Sequence, residues 1–130
     1  METQLDLTEK CVFCDLSLSQ SSTWIDPEVL VVKDRYPVSE GHRLVIPKAH
    51  VASLLELTPN SVGRLFNVAV EVGRSLVDDG ADGFNLGVNE GVAAGQSVMH
   101  LHIHVIPRRF GDVSDPVGGV RGVIPSKRRY

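Results

Sequence analysis

The chain has 130 residues, 42% of them hydrophobic and 22% charged, with a formal net charge of −3. This is the composition of one globular domain able to bury its own core without staples, and no apolar run approaches the roughly 20 residues a membrane span needs. Residues 1–107 carry seven Lys/Arg against fourteen Asp/Glu, and residues 108–130 carry six against two. A basic tail on an acidic body can steer an anionic ligand, but a nucleic-acid surface needs a longer basic stripe with aromatic platforms.

Residues 1–10 are polar and acidic, without a basic or apolar leader region, so a cytoplasmic protein is expected. In that setting Cys11 and Cys14 are expected to be thiols or ligands rather than a disulfide. Thr23–Asp26 and Val29–Val32 flank Pro27-Glu28 and predict a hairpin. Arg43–Ile46, ended by Pro47, predicts a further strand. Thr58 and Pro59 supply an N-cap and a first helical residue. Val62, Leu65, Phe66, Ala69, Val72, Leu76 and Val77 then make a 3.6-period stripe that ends near Gly80. Phe84–Val88 alternates like a strand, and Leu101–Ile106 predicts another. Strands, one helix and strands again predict an α+β domain on an antiparallel sheet.

The last strand carries the chemistry: His100-Leu101-His102-Ile103-His104-Val105-Ile106. Side chains two apart on a strand share a face, so three imidazoles are expected on one side and three aliphatics on the other. A single three-histidine metal centre is disfavoured, because Cβ atoms four apart on a strand lie about 13 Å from each other. The histidines are therefore expected to do different work. Cys11-Val12-Phe13-Cys14 reads either as half of a four-ligand metal site or as two uncoordinated thiols. His42, His50 and the histidine row are the available partners, with His50 (after Pro47-Lys48-Ala49) and His100 best placed. The small residues of Asn89–Val98 let backbone N–H groups approach an anion, with Gln96 and Ser97 as side-chain donors.

These residues together resemble the histidine triad (HIT) family of nucleotide hydrolases and transferases. Residues 100–106 match the signature of three histidines separated by apolar residues, and Gly95-Gln96-Ser97-Val98 is similar to its approach. Asp34–His42, running into Leu44–Lys48, resembles the family's other block, so the likeness spans roughly residues 11–110. It implies a five-stranded antiparallel sheet with one long and one short helix, and a homodimer, with a domain over 1–110 and a tail over 111–130 packing on or near the active site. It further implies cleavage at the α-phosphate of a purine nucleotide or dinucleotide by His102, through a nucleotidyl-histidine intermediate. His104 would hold phosphate oxygens, and Ser97, Gln96 and the amide after Gly95 would stabilise developing charge. Asp34 would bind the ribose hydroxyls, Asn89 would stand near the phosphates, and Val12, Phe13, Leu16 and Val32 would wall the base pocket. Cys11, Cys14, His50 and His100 would hold a structural zinc ion, with no organic cofactor.

Residues 118–125 differ from the tryptophan-bearing tail of the family's phosphoramidase branch. Arg121 is expected to favour a longer polyphosphate, as in the branch that hydrolyses dinucleoside polyphosphates. The absence of Pro between the histidines argues against hexose-1-phosphate uridylyltransferases. The competing expectation is a non-catalytic nucleotide-binding regulatory module that keeps the pocket without turnover.

Overall fold

A computed structural model describes residues 11, 13, 14 and 25–130. Its regular elements are β1 (Val29–Lys33), β2 (Arg43–Pro47), α1 (Pro59–Asp78), β3 (Gly83–Gly87) and β4 (Ile103–Arg108). The strands form one antiparallel sheet in the order β1-β2-β4-β3. Among the described residues the sheet therefore has four strands rather than five. The hairpin expected at Thr23–Val32 does not form: Ile25 and Asp26 lie outside any strand, and β1 pairs with β2 instead. Thr23 and Trp24 fall outside the described residues. Phe13 and Cys14 are helical.

α1 begins where its capping residues dictate. Thr58 is extended and its side chain accepts the N–H of Ser61, while Pro59, which has no N–H to satisfy, takes the first helical position. The stripe Leu65, Val68, Ala69, Val72 and Leu76 is buried against Val29, Val45, Leu101, Ile103 and Val105. The family resemblance implies pairing across the long helix, for which Leu65, Phe66, Ala69 and Leu76 could serve; Leu65, Ala69 and Leu76 are instead buried in the core. Each such buried side chain contributes about 1.5–3 kcal/mol. Gly73 belongs to the same face because the ring of Phe84 lies where a Cβ would stand.

The sheet's period of two assigns the chemistry to the opposite face. Leu101, Ile103 and Val105 anchor the histidine segment under α1, so the intervening histidines project away from the helix. The register places His104 between Leu44 of β2 and Gly87 of β3. On this side Leu30, Val32, Leu44 and Ile46 form a second apolar cluster, covered by Cys11 and Phe13. β4 itself begins at Ile103, so His100 and His102 stand in irregular chain just before it. The backbone N–H of Leu101 donates to the carbonyl of Val51 at 2.7 Å, outside the sheet ladder.

Candidate active site and metal centre

His100 works through three of its atoms. Its Nε2–H donates to the carbonyl of Pro47 at 2.9 Å, which leaves the lone pair on Nδ1. That Nδ1 faces two sulfurs, Cys11 Sγ at 3.2 Å and Cys14 Sγ at 3.5 Å, and Cys14 Sγ lies 3.3 Å from His50 Nδ1. All four ligand atoms lie within 4.8 Å of one another. A tetrahedral ion bound at ordinary metal–sulfur and metal–nitrogen lengths separates S from N by about 3.5 Å. The donor set, its spacing and the carbonyl behind His100 all fit a four-coordinate metal. The four residues singled out in the sequence stand together and could hold a metal ion.

The third atom is the carbonyl oxygen of His100, which accepts Nδ1–H of His102 at 2.8 Å. A neutral His102 then carries its lone pair on Nε2. His102 lines a cavity of about 370 Å³ together with Phe13, Asp34, Leu44, Ser97, Val98 and His104. Phe13 meets the His102 ring edge-on, with centroids 4.9 Å apart. The chain therefore holds the His102 ring in one orientation at a cavity whose wall combines Phe13, Leu44 and Val98 with Lys33, Asp34, Arg35 and Asn89. A larger cavity of about 470 Å³ lies around Arg109, Phe110 and Val113, away from the histidines, so size does not pick out this site.

His42 was seen in the sequence only as a candidate metal ligand, and its place here is different. It is buried, and its Nδ1 accepts the backbone N–H of Val38 at 3.0 Å. Its proton therefore sits on Nε2, 3.0 Å from His104 Nδ1 and 3.4 Å from Asp34 Oδ2. Acting as donor, His42 makes His104 Nδ1 an acceptor and leaves Nε2–H as the donor of the His104 ring. Asp34, His42 and His104 also bring ligand-type atoms together. In this tautomer, however, neither nitrogen of His42 has a lone pair free for a cation. Burial pushes the His42 and His104 imidazoles below the ordinary histidine pKa, with Asp34 opposing the shift in part. Burial lowers His100 likewise, against the Pro47 carbonyl. The signal that could have exposed His42 was its position at the start of β2, facing the histidine row across the sheet.

Several expected contacts are redistributed. Gln96 is buried, and its side chain is consumed by main-chain groups: Oε1 accepts from Gly91 N–H at 2.9 Å, and Nε2 donates to the carbonyls of Ala52 at 2.9 Å and Val98 at 3.2 Å. The N–H of Gly95 donates to Val92 and that of Gln96 to Gly91, so neither amide is free to cradle an anion. Gly95 instead supplies the positive φ of 98° that closes this turn. Ser97 remains exposed at the cavity. Val32 is core beneath the cavity rather than its wall, where Leu44 and Val98 stand instead. Asp34 lines the cavity, with Oδ1 accepting Tyr36 N–H at 2.8 Å and Oδ2 turned to the histidine pair. Val12 and Leu16 lie outside the described residues.

The tail folds onto a second cavity of about 430 Å³, where Val120 and Val123 face His104 and Asn89. Only His104 and Asn89 line both cavities among the described residues. Asp115 closes the tail by pairing with Arg128 at 3.0 Å and with Arg129. Those partners hold its carboxyl well down, at about 2. The Arg121 guanidinium lies 4.4 Å from the centroid of the Tyr130 ring and donates to the Lys127 carbonyl at 2.9 Å. It is thus engaged within the tail, contrary to its expected reach toward a polyphosphate.

The chain is similar to known proteins. The chain is 39% identical over 110 residues to the adenylylsulfatase HINT3 of Arabidopsis thaliana, covering 82% of this chain and 56% of that protein. It is 40% identical over 81 residues to the asymmetrical bis(5'-nucleosyl)-tetraphosphatase of Schizosaccharomyces pombe, covering 61% of this chain and 44% of that one. The chain thus spans about half the length of these two relatives. A crystal structure of a Zn-bound histidine triad family protein from Mycobacterium smegmatis superposes with a TM-score of 0.73 at 36% identity, covering 81% of this chain and 79% of the other. The HIT domain family matches residues 19–111, and with the histidine row, its carbonyl-anchored centre and the cysteine pair in place, the chain belongs to that family.

Proposed function

We propose that the protein is a nucleotide hydrolase or nucleotidyl transferase that cleaves at the α-phosphate of a purine nucleoside phosphoramidate or dinucleoside polyphosphate. The observation that carries this reading is the His102 ring, fixed by the His100 carbonyl with Nε2 left to attack. The Nε2 lone pair forms the N–P bond while the bond from phosphorus to the leaving group breaks, the leaving group keeping that electron pair and, where it is an amine, taking up a proton from solvent. Water then attacks phosphorus, its proton passes to solvent, and the N–P pair returns to Nε2. His104 offers its Nε2–H to a phosphate oxygen, Ser97 adds a hydroxyl, and Asn89 stands beside both. Asp34 accepts from ribose hydroxyls with the lone pairs that Tyr36 and His42 leave it, and Phe13, Leu44 and Val98 pack on the base.

Two thiolates and two imidazoles suit zinc, and Cys11, Cys14, His50 and His100 hold it in this reading. The ion's contribution is structural, tying the segment that bears Phe13 to His100. A reducing cytoplasm keeps such thiols available, and a homodimer, as the family resemblance implies, completes the proposal.

The test is to mix the protein with radiolabelled adenosine phosphoramidate or diadenosine tetraphosphate, quench it, and follow the label. Labelled protein in the wild type and none in His102→Ala, together with a rate loss of at least about 10³, is expected. Full hydrolysis by that variant would refute the assignment. Tight nucleotide binding without turnover would establish the regulatory alternative.

A further inference from the structure

The turn that carries Cys11 and Cys14 also carries a wall of the His102 cavity. Phe13 is buried, lines that cavity, and meets the rings of His100 and His102 edge-on, with centroids 5.9 and 4.9 Å apart. On either side of it in the chain the sulfurs reach two other histidine nitrogens. Cys11 Sγ lies 3.2 Å from His100 Nδ1, and Cys14 Sγ lies 3.3 Å from His50 Nδ1. A change in the bonding of these sulfurs therefore changes what holds Phe13 in place.

The two sulfurs are also placed to bond to each other. They belong to the only two cysteines of the chain, and the Cys14 N–H donates to Cys11 Sγ at 3.4 Å. Their Sγ atoms lie within 4.8 Å of one another. Closing an S–S bond of about 2.0 Å asks for an approach of less than about 3 Å between side chains of one turn. Cys11 is 6% exposed and Cys14 is half-buried, so an oxidant from solvent meets Cys14 first. The thiolate is the form that binds a metal, and a disulfide has none to offer. Oxidation thus leaves His50 and His100 without their sulfur partners.

We propose that Cys11 and Cys14 are a reversible oxidation site for hydroperoxides, in which an intrachain disulfide displaces the metal and weakens nucleotide binding by releasing Phe13 from the cavity wall. The Cys14 thiolate attacks one peroxide oxygen, the O–O bond breaks, and a sulfenic acid and hydroxide form. The Cys11 thiolate then attacks the Cys14 sulfur, the S–S bond forms, and a second hydroxide leaves. The pair gives up two electrons, the peroxide accepts them, and protons from solvent turn both hydroxides into water. A dithiol reductant returns the electrons and restores both thiols. The consequence for binding rests on the nucleotide-site reading above, whereas the thiol chemistry does not. His102 keeps its orientation throughout, because the His100 main-chain oxygen takes no part.

The experiment treats the reduced, zinc-loaded protein with hydrogen peroxide and follows thiol count, intact mass, zinc released to a colorimetric chelator, and AMP affinity by calorimetry. Loss of both thiols, a fall of about 2 Da per chain and release of the zinc are expected. The Kd for AMP should rise about tenfold, and dithiothreitol with added zinc should reverse every change. Reversal separates the pair from oxidation of Met1 or Met99, which thiols do not undo. In Phe13→Ala the affinity should already be low and oxidation should shift it no further. In turnover of diadenosine tetraphosphate, KM should rise while kcat stays within about threefold. Surviving thiols, retained zinc, a disulfide between chains, an unchanged Kd after full conversion, or an equal shift in Phe13→Ala each overturn the inference. A reduced protein that binds AMP but shows neither turnover nor labelled His102 overturns the catalytic reading alone, since the other measurements do not depend on it.

Discussion

Replacing Gln96 by Ala separates two roles that its place beside the histidine row invites. If Gln96 stabilised charge on the phosphate, its loss would reduce the rate by about 10²–10³. Its amide is instead committed to Gly91 N–H and to the Ala52 and Val98 carbonyls, with the residue 7% exposed. Three such bonds at about 1 kcal/mol each, softened because the main-chain groups are only partly buried, put the loss at about 2–3 kcal/mol. For a chain of this size that lowers the melting temperature by roughly 8–15 °C. The expected result in a thermal melt paired with initial rates at 20 °C is a large drop in Tm and less than about a tenfold fall in kcat. An unchanged Tm with a rate loss of 10² or more would refute the assignment of Gln96 as a brace. The variant Gln96→Glu adds a check, since its second oxygen would face two carbonyls and it should be no more stable than Gln96→Ala.

Other expectations follow from the same geometry. His42→Ala removes the donor that fixes the His104 tautomer and should lower kcat by about 10- to 100-fold in steady-state assays, with labelled His102 still forming. Folding holds His42 and His104 below the ordinary histidine pKa, so the unfolded chain binds more protons once pH falls under about 6.5. Stability should therefore be full above that pH and decline below it, and a Tm that rose between pH 7.5 and 5 would contradict the buried neutral pair. Stripping the metal with a chelator should lower Tm by about 10 °C or more while the remaining folded protein keeps its rate at saturating substrate within about threefold. Complete loss of chemistry at unchanged Tm would instead make the metal catalytic.

The parts of the fold and site visible in the sequence are those governed by short-range periodicity. The cap at Thr58, most of the α1 stripe and the alternation of Leu101, Ile103 and Val105 are each set by neighbours within about four positions and appear as expected, although Val77 is exposed and the strand expected from Leu101 begins only at Ile103. The candidate metal ligands were visible as residue types, but the meeting of Cys14 with His50, 36 positions on, depends on tertiary folding. The misread residues share a cause. Gln96 and the Gly95–Gln96 amides have the right chemistry for an anion, yet which groups they bond is decided by how the 91–96 turn closes on Val51–Ala52. Val32 alternates correctly but falls one layer too deep to touch a ligand. His42 sits 62 positions from its partner, and only the β2–β4 register brings the two rings together.

The divided duties of His100 bear on how substitutions there are to be interpreted. Its ring belongs to the sulfur cluster, but the atom that orients His102 is its main-chain oxygen, which every amino acid supplies. A His100→Ala protein therefore forfeits a candidate ligand while retaining the acceptor on which the proposed nucleophile depends. Activity lost at position 100 measures how firmly the cysteine segment is tethered, and is silent about the tautomer of its neighbour. On its acceptor side the contact that orients the proposed nucleophile is thus beyond the reach of side-chain replacement, and only a change in the path of the backbone can disturb it.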